Sequence, residues 1–287
     1  MNCRFCQTEL ERVFVDLDYA PISNAMLTRE QLNEPELYYP LKIFVCDNCR
    51  LVQIDEMKKA EQIFDADYTY FSSYSKSWLQ HAQDYTRMMI GRFGFDADSQ
   101  VIEIASNDGY LLQYFKEAGI PVLGVEPTAN TAQVAIGRGI ATIVEFFSTA
   151  FAQRQLVDKD IRGDLILGNN VLAHVPDIND FVGGMKTALN AGGVLTMEFP
   201  HLLKLVEECQ FDTIYHEHFS YLSLFTVKRI FNAHGLELFD VEQLPTHGGS
   251  LRIFAKHADD ASREISAAVQ HLLDAELRAG VDSDAYY

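Results

Sequence analysis

The sequence has no long hydrophobic run. No apolar stretch approaches the roughly 20 residues that span a bilayer, and the N-terminus, Met1 to Arg4, lacks the apolar segment of a signal peptide. We therefore expect a cytoplasmic protein without a membrane partner. At 287 residues the chain can bury one large core and form a smaller second domain.

Basic residues are also scarce. The chain has 23 Lys and Arg against 41 Asp and Glu, which gives a formal net charge of −18. An electrostatic field of this sign repels polyanions, so nucleic acid is excluded as the expected partner. A small anionic substrate remains compatible, because local basic groups and helix N-termini can outweigh a distant net charge.

Only five cysteines are present, and four of them are paired. Cys3 and Cys6 form one Cys-x-x-Cys motif, and Cys46 and Cys49 form a second. In a cytoplasmic chain, two such pairs favour a metal over disulfides. We predict a structural Zn²⁺ held by four thiolates, which would stabilise a segment with few apolar residues. The alternative is two redox pairs, but the βαβ context of thioredoxin-like motifs is absent here.

Short apolar runs alternate with amphipathic segments from residue 98 onward. This alternation predicts an α/β fold with a doubly wound, Rossmann-like sheet that binds its ligand at the carboxyl ends of the strands. Two further runs predict an antiparallel hairpin at the sheet edge. The predicted strands cover residues 101–105, 121–125, 141–144, 164–168 and 194–199, with hairpin strands at 236–241 and 250–255.

The spaced glycines of a dinucleotide-binding loop are missing. The loop after the first of these strands instead runs from Glu103 to Gly109, and its small residues let backbone N–H groups approach a ligand. Glu126 ends the second strand, where a carboxylate can accept a ribose diol, although it could also be a solvated strand end. A cofactor with adenosine but no pyrophosphate fits these features better than NAD, and S-adenosylmethionine is the common one.

The segment Tyr215-His216-Glu217-His218 follows the fifth strand and has three interpretations. It could be a second metal site, a polar turn before a helix capped by Ser223, or a catalytic centre. No flanking residue completes a metal site, and the ligand edge of the sheet favours catalysis. In a turn, Tyr215 and His218 would share a face, whereas in a strand His216 and His218 would.

The predicted hairpin link contains His247, Gly248 and Gly249, followed by Ser250. Glycines at these positions could bring backbone N–H groups close to a substrate. They could equally serve a turn that requires positive φ. The sequence is compatible with both the substrate-contact and the turn interpretation.

Taken together, these motifs resemble those of the zinc-containing class I sugar C-methyltransferases, which methylate C3 of nucleotide-linked 4-keto-deoxyhexoses. The resemblance extends over nearly the whole chain, and Ala105 departs from it at a position where the family has glycine. The motifs are the two Cys pairs, Tyr70-Phe-Ser-Ser-Tyr74, Glu103-Ile-Ala-Ser-Asn-Asp-Gly109, Gly168-Asn-Asn-Val171, Tyr215-His-Glu-His-Phe219 and His247-Gly-Gly-Ser250.

The resemblance implies a role for each residue of the site. His218 would remove the proton alpha to a ketone, and Tyr215 would donate to the enolate oxygen. Glu217 would orient the imidazole or hold a sugar hydroxyl. His247, Gly248 and Gly249 would contact the substrate. S-adenosylmethionine would be held by Tyr70, Phe71, Ser73, Glu103, Ala105, Asn107, Gly109, Glu126, Pro127, Asn169 and Asn170.

The resemblance also divides the chain into four segments. These are a zinc-binding domain (1–60), a helical connector and cofactor lid (61–97), a methyltransferase domain (98–258), and a helix (259–287) leading to a C-terminal domain that the chain lacks. We expect that helix to have no packing partner and the protein to be a monomer. The alternatives are an O- or N-methyltransferase of a sugar or another small molecule, and a zinc-containing binding module with a degenerate cofactor site.

Overall fold

The structure is a computed structural model that describes residues 1–64 and 68–287, so the predicted connector 61–97 includes three residues outside the described ones. The strands are β1 (Val13–Ala20), β2 (Tyr39–Val45), β3 (Val52–Ile54), β4 (Val101–Ile104), β5 (Val122–Val125), β6 (Thr142–Ile143), β7 (Gly163–Asn169), β8 (Leu189–Pro200), β9 (Ser220–Tyr221), β10 (Leu236–Leu244) and β11 (Ser250–His257). The helices are α1 (Ala60–Ile63), α2 (Lys76–Phe93), α3 (Leu112–Glu117), α4 (Ala129–Gly137), α5 (Thr149–Phe151), α6 (Ile178–Ala188), α7 (Leu202–Glu207), α8 (Leu224–Ala233) and α9 (Ala267–Ala279).

The larger sheet has the strand order β10-β11-β8-β7-β4-β5-β6. Strands β6, β5, β4, β7 and β8 run parallel, and the β10–β11 hairpin adds antiparallel to β8. This confirms the predicted doubly wound sheet and its edge hairpin. The chain order reverses between β4 and β7, so a crevice forms at their carboxyl ends.

The smaller sheet joins the N-terminal segment to the rest of the chain. Its order is β1-β2-β3-β9, and β9 pairs antiparallel with β3 through Val52 opposite Tyr221. The buried residues of the N-terminal strands, such as Ile43 and Ile54, pack in one cluster with Leu202 and Phe219. The N-terminal domain therefore shares its apolar core with the methyltransferase domain, a contact that the sequence analysis did not predict.

Helix α9 begins later than predicted and is well packed. The predicted helical segment started at residue 259, but Ser266 caps the helix, with its hydroxyl accepting from the backbone N–H of Ala268 at 3.0 Å. The expectation that it lacks a packing partner is wrong. Glu276 is fully buried and accepts the backbone N–H groups of Leu224 and Phe225, each at 2.7 Å. A carboxylate at a helix N-terminus stabilises it by up to about 2 kcal/mol, so α9 anchors α8.

Within residues 1–64 and 68–287, no helix combines the length and apolar character needed to cross a membrane.

Candidate active site

A cavity of about 570 Å³ opens at the carboxyl ends of β4, β5 and β7, facing the N-terminal domain. This volume is in the range of small-molecule and cofactor sites. The fold thus gathers residues that are far apart in the sequence. The predicted site residues that line it are Tyr70, Ala105, Asn107, Glu126, Pro127, Asn169, Asn170, Tyr215, Glu217, His218 and His247.

The remaining predicted residues lie outside the lining. A Cβ on Gly109 would come within 2.4 Å of the Ile140 Cδ1 atom, so this glycine permits close packing rather than ligand contact. Gly248 and Gly249 have φ values of 77° and 114°, which supports the turn interpretation of the hairpin link. The others, Phe71, Ser73 and Glu103, are not among the residues that line the cavity.

Asn107 connects the predicted lid to the sheet. Its side-chain oxygen accepts from the Ser72 backbone N–H at 2.8 Å, and its amide group donates to the Tyr70 carbonyl at 3.0 Å. Its own backbone N–H donates to Glu126 Oε2 at 2.8 Å. One asparagine therefore fixes the segment at 70–72 over the ends of β4 and β5.

Several lining residues have strained backbone. Four of them have a backbone φ between 49° and 56°, in the left-handed region that residues other than glycine rarely adopt. They are Ala105, Asn107, Asn170 and His247. For Ala105, where the family has glycine, the methyl group makes this conformation unfavourable by about 1–2 kcal/mol. Strain of this kind concentrates at ligand sites, where surrounding structure enforces it.

Buried polar atoms in the lining lack partners among the described residues. They include both side-chain polar atoms of Asn169 and the side-chain oxygen of Asn170. Both carboxyl oxygens of Glu103, which does not line the cavity, also lack partners among the described residues. Burial and the nearby Glu126 raise the pKa of Glu103 well above its usual range. Leaving such groups unpaired costs about 1–3 kcal/mol each. The cavity thus fits a polar ligand such as the ribose and amino-acid ends of S-adenosylmethionine.

The Tyr215–His218 segment is a turn. The His218 backbone N–H donates to the Tyr215 carbonyl at 3.0 Å, and the two rings lie 4.1 Å apart. The Tyr215 hydroxyl is 2.8 Å from His218 Nε2. His216 lies apart from this pair, with its Nε2 3.1 Å from the Pro40 carbonyl. The structure therefore has the turn geometry, not the extended one, and brings Tyr215 and His218 together.

The tautomer of His218 follows from its second contact. Its Nδ1 is 2.8 Å from the Thr213 carbonyl, which can only accept, so Nδ1 carries the hydrogen. Nε2 then presents its lone pair to the Tyr215 hydroxyl. Burial lowers the pKa of His218 to about 4 and raises the pKa of Tyr215. At neutral pH the pair is an uncharged base beside a protonated phenol.

Glu217 contacts the N-terminal domain instead of the imidazole. Its Oε1 accepts from the Ser23 hydroxyl at 3.0 Å and from the Asn24 amide at 2.9 Å. The expectation that Glu217 orients His218 is corrected, because the Thr213 carbonyl does so. Glu217 and Asn24 both line the cavity, so a loop of the N-terminal domain reaches the site.

His174 is a site residue that sequence reasoning missed. Its ring centroid lies 4.6 Å from that of His218, and its Nδ1 has no partner among the described residues. Burial and the neighbouring His218 lower the pKa of His174 well below its usual range. The sequence signal that could have indicated His174 is its position just after β7, at the ligand edge of the sheet. A short helical turn at Leu172–His174 places it in the same cavity.

The four paired cysteines converge at the other side of the N-terminal domain. Their sulfur atoms all lie within 4.8 Å of one another, with Cys3–Cys49 and Cys6–Cys46 each at 3.5 Å. Tetrahedral Zn²⁺ with Zn–S bonds of about 2.3 Å places its sulfur ligands about 3.8 Å apart. The donor set and its spacing therefore fit a structural zinc ion, and all five cysteines of the chain are free of disulfides.

The strand order and the cavity at the reversal of chain direction define a class I methyltransferase fold. The PH0226 protein from Pyrococcus horikoshii OT3 shares it, with a TM-score of 0.51, 13% identity and coverage of 70% of this chain and 99% of that chain. A magnesium protoporphyrin IX methyltransferase from Synechocystis PCC 6803, solved with bound SAH, gives a TM-score of 0.49 at 12% identity over 62% of this chain and 82% of that chain.

The chain belongs to the zinc-containing C-methyltransferase family. Family models match a zinc binding domain at residues 3–64, a methyltransferase domain at 78–241 and a C-methyltransferase C-terminal domain at 245–287. The C-methyltransferase NovU from Streptomyces niveus is 33% identical over 286 residues, which cover 100% of this chain and 67% of NovU. The match at 245–287 corrects the expectation that the C-terminal domain is absent. The protein is thus an S-adenosylmethionine-dependent C-methyltransferase with a zinc-binding domain.

Proposed function

We propose that the protein methylates C3 of a nucleotide-linked 4-keto-deoxysugar, with His218 as the base. The observation that carries this proposal is the 2.8 Å contact between His218 Nε2 and the Tyr215 hydroxyl inside the cavity. Carbon methylation requires a carbanion equivalent, and a ketone makes the neighbouring C–H acidic enough for a histidine to act on. The relationship to a protein named as a C-methyltransferase supports a carbon acceptor.

His218 would accept the C3 proton at Nε2. Its Nδ1–H stays on the Thr213 carbonyl, so the ring keeps its orientation while its charge changes. The low pKa of the buried imidazole ensures that it is unprotonated at neutral pH. The developing negative charge on the sugar would stabilise the imidazolium, because opposite charges attract strongly in a buried site.

Tyr215 would stabilise the enolate oxygen with its hydroxyl group. When the substrate binds, the phenol hydrogen would turn from Nε2 to the sugar O4, which frees the Nε2 lone pair to accept the C3 proton. Once Nε2 carries that proton, it would donate to the Tyr215 oxygen. Burial raises the pKa of Tyr215, so the phenol remains a donor rather than ionising. Preorganised donors of this kind contribute about 2.7–4 kcal/mol to the stabilisation of an oxyanion.

The remaining lining residues would hold the cofactor, which supplies an electrophilic methyl group when bound. Glu126 would accept the ribose hydroxyls, since its carboxylate is oriented by the backbone N–H groups of Asn107 and Thr128 at 2.8 and 2.9 Å. Asn169 and Asn170 would pair their free polar atoms with the amino-acid end. Glu217 and Asn24 would contact sugar hydroxyls at the other end of the cavity.

A matched pair of substrates tests the substrate class. We expect turnover with a nucleotide-linked 4-keto-deoxysugar and none with the same sugar reduced to the 4-hydroxyl, because only the ketone acidifies the C3 proton. Formation of S-adenosylhomocysteine is the measurement. Equal turnover of the alcohol, or no turnover of any keto sugar in a panel of nucleotides, would contradict the proposal.

A further inference from the structure

Arg4 lies between the zinc ligands Cys3 and Cys6, but its guanidinium contacts distant segments. Nη1 donates to the Pro176 carbonyl at 2.7 Å, and Nη2 donates to the Ile54 carbonyl at 2.5 Å. The guanidinium carbon is 5.3 Å from the centroid of the Phe219 ring. A single side chain thus joins the zinc knuckle, residues 3–6, to three other parts of the chain.

Two of these contacts lie next to the cavity-lining histidines His218 and His174. Phe219 directly follows His218, and Pro176 follows His174 by two residues in the cavity wall. The rings of the two histidines lie 4.6 Å apart. Arg4 therefore holds both segments that carry the histidines, although it does not line the cavity itself.

Gln53 provides a second connection from the zinc site to the same turn. This fully buried side chain donates to Cys3 Sγ at 3.2 Å and accepts from the Arg4 backbone N–H at 2.9 Å. Its strand, β3, pairs with β9 immediately after the catalytic turn, and the Ile54 N–H donates to the Phe219 carbonyl at 3.2 Å. The position of the turn is thus set by the strand that also contacts a zinc ligand.

A charged side chain is an unusual choice at the Arg4 position if its role is only to fill space. Among the described residues no carboxylate forms a salt bridge with Arg4. Its guanidinium donates to two carbonyl oxygens and faces an aromatic ring, while Glu56, Asp55 and Asp177 act on its charge from a greater distance. Desolvating a charged group is expensive, and an apolar side chain of similar volume would often be as stable. The planar fork of arginine, however, can hold two carbonyls in fixed directions.

We propose that Arg4 is a positioning residue that couples the zinc knuckle to the catalytic turn. It sets the relative placement of the segments bearing His174 and His218, so the zinc-binding domain is part of the catalytic apparatus and not only a folding element. This inference rests on the proposed function of His218. A misplacement of about 1 Å in such a site can reduce turnover about 10²-fold.

The test compares Arg4→Met with Arg12→Met in the full chain. Arg12 is a matched control from the same domain, because its partly exposed guanidinium forms ion pairs with Asp47, beside the other zinc knuckle, and with Asp284, and within the described residues contacts no segment of the site. For Arg4→Met we expect zinc content and S-adenosylmethionine affinity to equal those of the wild type, while kcat falls about 10-fold or more with little change in KM. For Arg12→Met all four quantities should equal the wild-type values.

Each outcome has a definite meaning. An Arg4→Met protein that keeps its zinc and its full kcat overturns the inference. If Arg4→Met loses zinc, the Arg4→Lys variant distinguishes the two roles. Retained zinc with a reduced kcat in Arg4→Lys supports the inference. Loss of zinc in Arg4→Lys as well overturns it, because Arg4 would then serve only the metal domain. If wild type and Arg12→Met fail to methylate any keto sugar, the proposed function fails instead.

Discussion

Replacing His218 with alanine is expected to reduce methyl transfer by about 10²–10⁴-fold, the usual contribution of a general base. The affinity for S-adenosylmethionine should persist, because the residues proposed to hold the cofactor belong to the loops after β4, β5 and β7. Turnover of a keto-sugar substrate and calorimetric titration of the cofactor are the two measurements. The variant removes Nε2, the side-chain atom that lies 2.8 Å from the Tyr215 hydroxyl.

Two further variants of the same turn sharpen this test. Tyr215→Phe removes only the hydroxyl, so we expect a smaller loss, about 10²–10³-fold in kcat, as for other oxyanion donors. His216→Ala is the matched control, because His216 contacts the Pro40 carbonyl and not the catalytic pair. Retained turnover in His218→Ala, or a larger loss in His216→Ala, would refute the assignment of the base.

The second large effect concerns the metal. Cys49→Ser is expected to abolish zinc binding and to unfold the N-terminal sheet, because structural zinc sites contribute apparent free energies of about 10–16 kcal/mol. Cys49 is fully buried, with its sulfur 3.5 Å from that of Cys3. Metal analysis of the purified protein and thermal unfolding are the measurements. Because β9 belongs to the same sheet, activity should be lost together with zinc.

Cys209→Ser provides the control for this experiment. Cys209 is exposed and lies outside the cluster of four cysteines, so its replacement should leave about one equivalent of zinc in place. Zinc retained at wild-type level in Cys49→Ser would disprove the four-thiolate site. A wild-type protein that contains no zinc and two disulfides would instead favour the redox interpretation.

Much of this architecture could be predicted from the sequence because the signals were local. The alternation of apolar strands with amphipathic helices predicted the parallel sheet, and in such a sheet the ligand binds at the carboxyl ends of the strands. The Ser223 cap before α8 is present as predicted, with its hydroxyl accepting from the Thr226 backbone N–H at 3.1 Å. Spacing alone also indicated that Tyr215 and His218 would share a face if the segment formed a turn.

The features that were missed depend on contacts between distant segments. Nothing near Glu276 in the sequence shows that it caps α8, and nothing near Glu217 shows that it meets Ser23 and Asn24. The pairing of β9 with β3 likewise joins residues far apart in the chain, and β9 has only two residues, too few to give a periodic signal. Such contacts are set by tertiary packing, which overrides the local pattern.

The position of the transferred methyl group tests the central claim most directly. With S-adenosylmethionine labelled with ¹³C at the methyl group and a nucleotide-linked 4-keto-deoxysugar, NMR of the product locates the label. The account predicts a methyl group bonded to C3, the carbon whose proton His218 removes, and labelled product formed about 10²–10⁴-fold more slowly with His218→Ala. A label on a hydroxyl oxygen, or on C5 at the other side of the ketone, would contradict it.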